Sequence, residues 1–151
     1  MVTPPETSDS ILSRIEQVQV EREALIRSTQ PKAVEALQHL ADAIRSNPGT
    51  GQRRRLTSFL GGVFNGTHYP FDLSDLRGLD GELREACLTV LAYDSLGQRE
   101  IHRWGVIDSD ELVSWLKEDG HFYEAHRRQK ARELYRAKYG EEGHKIEEDE
   151  A

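Results

Sequence analysis

Apolar residues in this chain recur at spacings of three and four, and nowhere alternate with polar ones for long enough to argue a strand. Ile11, Ile15, Val18 and Leu25 form one stripe, interrupted by Arg22. Val34, Leu37, Ala41 and Ile44 form a second, widened by Leu40. Leu56, Phe59, Leu60, Val63 and Phe64 form a third, and Leu83, Cys87, Val90 and Leu91 a fourth. A chain built this way can bury its apolar atoms only by packing helix on helix, so the expected fold class is all-α, a compact bundle of about six helices. With 151 residues it makes one domain and buries roughly two-thirds of its unfolded surface, needing neither disulfide nor metal.

Punctuation divides the stripes. Pro4 and Pro5 mark residues 1–9 as a disordered leader. Pro31 suits the first turn of a new helix, so residues 10–46 read as a helical hairpin, with helices over 10–29 and 31–46, closed by Asn47-Pro48-Gly49. A third helix follows Thr50-Gly51 and ends at Asn65-Gly66. Asp72 is placed to cap a short turn carrying Leu73 and Leu76, and Asp80 to cap the helix after it. Residues 94–105 read as a turn and a short helix holding Ile101 and Trp104. Asp108 with Glu111 makes a capping box, stapled by Ile107 and Leu112, whose helix ends at Gly120. A basic helix over 121–140 and an acidic, disordered tail over 141–151 complete the single helical domain of residues 10–140.

The single cysteine, Cys87, makes no intramolecular disulfide and fits a reducing compartment. The first residues lack the basic start and apolar run of a signal peptide. The longest uncharged run, residues 56–71, is too short and too broken by glycine and proline to span a bilayer. A soluble cytoplasmic protein is therefore expected. The net charge of −7 conceals an asymmetry: residues 121–140 carry six basic and two acidic groups, and residues 141–151 one and six.

Two basic clusters are candidate anion or nucleic-acid contacts. Arg128, Arg132 and Arg136 share a helix face at i, i+4, i+8, and Arg53, Arg54 and Arg55 sit behind glycines at a helix start. A solvated outer face explains the first as well. For the second, three cations opposing the helix dipole predict that at least one has a carboxylate partner. Neither the lysine nor the strand of a P-loop is present.

No two histidines make an i, i+4 pair, and one cysteine cannot complete a thiolate site, so no metal site is expected. The acidic stretch Asp72–Leu83 fails as a calcium loop, with Leu83 where the bidentate glutamate belongs. Cys87 lies on an apolar face, where a thiol is an inert small hydrophobe. No catalytic or cofactor-binding residue emerges. Trp104, Trp115 and Tyr123 are candidate interface anchors, with burial in the core as the competing reading.

Thr50-Gly51-Gln52-Arg53-Arg54, Phe59-Leu60, Phe71-Asp72-Leu73-Ser74-Asp75-Leu76, Asp80, Leu88-Thr89-Val90-Leu91 and, loosely, Leu112-Val113 and Trp115 make residues 50–116 resemble a family of small uncharacterised proteins encoded on bacterial plasmids and other mobile elements. The resemblance implies that setting and no activity. The expectation is a non-enzymatic protein-interaction or inhibitory accessory factor of a plasmid or phage, acting for instance on host defence machinery. The alternative is a nucleic-acid-binding protein using the basic helix and Arg53–Arg55. A protein partner is favoured over nucleic acid, with homodimerisation through the first helix left open.

Overall fold

The computed structural model describes residues 2–5, 7–122 and 128–140. All regular structure among them is helical. Four α-helices, α1 (Ser8–Ser46), α2 (Gly51–Asn65), α3 (Gly81–Asp94) and α4 (Ser109–Glu118), are accompanied by 3-10 turns at Leu73–Gly78 and Ile101–Arg103. Residues 128–140 are helical as well. The all-α class stands. The acidic tail, residues 141–151, lies outside the described residues.

Local capping chemistry sets the element ends. Thr7 accepts from the Ser10 amide and Thr50 from the Arg53 amide, each at 3.2 Å, starting α1 and α2. Asp72 Oδ1 accepts from the Ser74 amide at 2.9 Å and opens the first 3-10 turn. Asp108 Oδ1 accepts from the Glu111 amide at 2.7 Å, with Ile107 and Leu112 buried as its staple. Asp80 occupies the cap position of α3 without a side-chain cap bond; its own amide donates to Gln52 Oε1 instead. Gly120, at φ 80°, closes α4 in a Schellman arrangement, with the His121 amide donating to Leu116 O at 2.7 Å and that of Gly120 to Lys117 O at 3.1 Å.

The expected N-terminal hairpin is not there. Residues 8–46 form one helix of 39 residues, about 58 Å long, running straight through Pro31. The proline removes one amide and crowds the preceding turn, a cost of about 3 kcal/mol relative to alanine. Contacts on both sides of it hold the helix together. Arg22 donates to Leu96 O ahead of it, Ile26 and Thr29 are half-buried, and the buried run Ala33, Leu37, Leu40, Ala41 and Ile44 begins two residues after it. Pro31 itself faces solvent. No glycine or asparagine follows Thr29 to let the chain reverse, so the helix continues.

The second half of α1 packs chiefly on α3, and α4 packs on α2. One core results, joining Leu37, Leu40 and Ile44 of α1 to Leu56 and Leu60 of α2. It takes in Cys87 and Val90 of α3, Ile101, and Leu112 and Leu116 of α4. The first half of α1 is different: Ile11, Leu12, Ile15, Val18, Val20 and Leu25 are all exposed.

Because Pro31 is exposed and interrupts a helix that tertiary contacts already hold, Pro31→Ala should raise stability by about 2 kcal/mol in urea titration. This is the helix-propensity gain less the added entropy of the unfolded chain. A loss of stability would mean that the chain turns at this proline.

Candidate interaction groove

The arginine triplet at the start of α2 is mostly structural. Arg53 is only 7% exposed. Its guanidinium reaches Glu118 Oε2 through Nη2 and lies 3.4 Å from Asp119 Oδ2 through Nε, tying α2 to the end of α4. Thr57 Oγ1 donates to the same Asp119 oxygen at 2.7 Å. This is the carboxylate partner that three cations at a helix start demand, and it withdraws Arg53 from any surface role. Arg55 lies against Gly78, where a Cβ would stand 2.6 Å from its Nε. Gln52 next to it clamps the loop, donating to Gly78 O at 2.7 Å while accepting from the Asp80 amide at 3.1 Å. Arg54 alone of the three is fully exposed.

Further along α2, Gly61 and Gly62 let α4 and the loop carrying Tyr69 and Phe71 approach closely. A Cβ on Gly62 would sit 2.8 Å from Phe71 Cβ, and one on Gly61 2.8 Å from Leu116 Cδ2. Phe71 therefore lies down on α2 and meets Phe59 edge-on, ring centroids 5.5 Å apart. Of the two leucines carried by the capped turn, Leu73 is 69% exposed and Leu76 packs against the core. Leu91 on α3 is 37% exposed. Between them runs a groove of about 390 Å³ lined by Phe59, Gly62, Val63, Phe71, Leu73 and Leu91.

Asp94, at the end of α3, lies where this groove meets a second, polar hollow of about 420 Å³ rimmed by Arg99, Glu100 and Arg103. Partial burial, and then the nearby Glu100 carboxylate, hold the Asp94 carboxyl above the usual aspartate range. An apolar trough thus ends in a rim that offers both signs of charge. Sequence reasoning missed this site, since its walls come from segments about thirty residues apart. The one local signal was Asp72, which caps the turn that carries Leu73.

The remaining candidates fall elsewhere. Trp115 is buried under the Arg45 guanidinium, 5.4 Å from its ring centroid. Trp104 is half-buried edge-on to Tyr93, and its Nε1 donates to Arg99 O at 3.1 Å. Neither projects as an interface anchor, and Tyr123 lies outside the described residues. Arg128, Arg132 and Arg136 are exposed on the helical segment 128–140. Cys87 is fully buried, and burial pushes its thiol up to about 12, so it is not a nucleophile near neutrality. Among the described residues no three His, Cys, Asp or Glu side chains could hold a metal ion. No described helix is long and apolar enough to cross a membrane.

A family of unknown function, DUF7673, matches residues 34–111, just over half of the chain, and the protein belongs to it. No curated protein and no solved structure matches the chain. The family segment begins at Val34, next to the first buried residue of α1. It contains the whole groove; the exposed half of α1 precedes it, and Glu118 and Asp119 follow it.

Two outcomes test the division between structural and exposed charge. Arg53→Ala leaves Asp119 buried without its cation and should cost about 3 kcal/mol, whereas Arg54→Ala should stay within about 0.5 kcal/mol. Equal effects in denaturant titration would contradict the assignment. For Asp94, a folded-state pKa above the unfolded value means that stability falls as pH rises through the interval between them. Asp94→Asn should therefore stabilise the protein at neutral pH, with the gain vanishing at pH values where the carboxyl is protonated in both states.

Proposed function

We propose that this protein is a non-enzymatic interaction module that works by occupying a partner's surface, with the groove between α2 and α3 as its contact site. The observation that carries this reading is the exposure of Leu73 and Leu91 at the lip of an apolar groove whose end is charged. Rigid apolar troughs beside polar rims receive anchor side chains of protein partners. The glycine-enabled packing of Phe71 on α2 holds the trough open without help from a ligand. Cys87 is buried in the core, away from the groove, with its thiol pushed up to about 12.

The likeness of residues 50–116 to small proteins of bacterial plasmids and other mobile elements supports a setting for this activity. The partner is a cytoplasmic host protein, and an inhibitory accessory role against host defence machinery fits a small protein without a catalytic site. The nucleic-acid reading retains Arg54, Arg128, Arg132 and Arg136, all exposed. It predicts binding that weakens steeply with salt.

Affinity capture from a bacterial host, with and without nuclease, tests the proposal when wild type is run beside Leu73→Asp and Leu91→Asp. Both positions are exposed, so helicity and thermal stability should stay close to wild type. A nuclease-resistant partner should be lost in both variants, with at least a tenfold weaker Kd once the partner is purified. Retention of the partner by both variants would dismiss the groove. Loss of all captured material with nuclease would transfer the function to the arginines.

A further inference from the structure

Contact through the groove fixes where a partner sits, and the charges at its end fix what that partner carries. The trough and the polar hollow share Val63 and Asp94, so a chain lying in one reaches directly into the other. On α3, Leu88, Leu91 and Asp94 follow one another at steps of three. Neighbours at that spacing stand about 5–6 Å apart on a helix surface. Leu88 is 43% exposed, so the apolar lip extends one turn back from Leu91, and the acidic side chain stands one turn ahead of it. Asp94 is half-buried. Among the described residues its carboxylate accepts no hydrogen bond and makes no ion pair, and the side chains of Arg99, Glu100 and Arg103 make none either. Burial strips water from the Asp94 carboxylate, and the like charge of Glu100 repels it. Folding alone leaves that cost uncompensated; a cation brought by a partner offsets it.

On the premise that the groove is the contact site, we propose that its occupant is a protein segment carrying a large apolar side chain and, within four residues of it, a lysine or arginine. The apolar side chain enters the trough over Phe59 and Phe71, between Leu73 and Leu91, and the cation pairs with Asp94. The trough sets the first half of this description. At about 390 Å³ it lies at the low end of small-ligand sites, and its lip is exposed, so it suits a side chain projecting from a partner's surface. Charge sets the second half. Asp94 is the one charged residue that lines the trough; Arg99 and Arg103 line the hollow alone and make no pair with it. An anionic group set beside the anchor would meet Asp94 and Glu100 with like charge, whereas a cation meets two carboxylates that have no other partner. The step from Leu91 to Asp94 sets the spacing, since a partner must offer its anchor and its cation about as far apart.

Selection of a random peptide display library on the immobilised full chain tests this pairing of anchor and cation. Peptides enriched on wild type should carry Leu, Ile, Met or Phe with Lys or Arg within four positions, and selection on Leu73→Asp should lose them. On Asp94→Asn, which keeps the side-chain volume and the fold, the apolar residue should persist while the basic one falls to its frequency in the unselected library. For one enriched peptide made synthetically, Asp94→Asn should raise Kd about tenfold. Replacing the peptide's cation by norleucine should cost wild type the same factor and cost Asp94→Asn almost nothing. Acidic or uncharged peptides that still require Leu73 and Leu91 would overturn the proposal while leaving the groove as the contact site. Basic peptides whose enrichment Asp94→Asn leaves unchanged overturn it in the same way. No enrichment, or enrichment indifferent to Leu73→Asp and Leu91→Asp, overturns the groove reading and this proposal together.

Discussion

The continuity of α1 through Pro31 is the constraint on which the rest of this structure depends. One half of the helix supplies the wall against which α3 packs, through Ala33, Leu37, Leu40, Ala41 and Ile44. The other half is carried outward by the same rod, keeping the apolar face in phase over its whole length. A break at Pro31 would let the first half fold back and bury Ile15 and Val18 within the chain. Because the helix is held from both sides of the proline, by Arg22 on Leu96 and by Ala33 in the core, that alternative is closed. The local cost of proline in a helix is outweighed by burial, as tertiary packing commonly outweighs propensity.

Within the body, polar residues do structural work that frees the groove for contact. Gln52 and Arg55 hold the loop around Gly78, and Arg53 ties α2 to Glu118 and Asp119. With the loop and α4 fixed, Gly61 and Gly62 accept Tyr69, Leu116 and Phe71 at van der Waals distance. The groove floor is set by this packing, and Leu73 and Leu91 stand exposed at its lip. The family segment, residues 34–111, contains this apparatus except for the two carboxylates that Arg53 meets.

Much of this was legible in the sequence where the governing forces are local. The N-caps at Asp72 and Asp108 and the C-terminal glycine at 120 act within a few residues, and their signatures mark the element ends; Asp80 holds its cap position without a side-chain cap bond. The buried stripe on α2 follows directly from helical spacing, and so does that on α3 at Cys87 and Val90, but Leu91, expected on the same face, is exposed at the groove. Pro31 misled because its local preference for a first turn is real, while the contacts that override it, between residue 22 and residue 96, are not visible in any window. The pairing of Arg53 was foreseeable in kind, since stacked cations at a helix start need an anion, but its partners lie 65 and 66 residues away. The groove was illegible for the same reason, since Phe59, Phe71 and Leu91 come together from three separate segments.

A distance along α1 tests the account most directly. Spin labels at Ser13→Cys and His39→Cys, both on exposed positions, can be attached while the buried, weakly acidic Cys87 stays unreacted. Doubly labelled protein diluted into an excess of unlabelled chain reports the intramolecular separation alone. A continuous helix places the two backbones about 39 Å apart, from 26 residues at about 1.5 Å each. A chain that reversed at Pro31 would bring them within about 20 Å, given interhelical spacings near 10 Å. The longer distance is the one this structure predicts; the shorter would remove the rod.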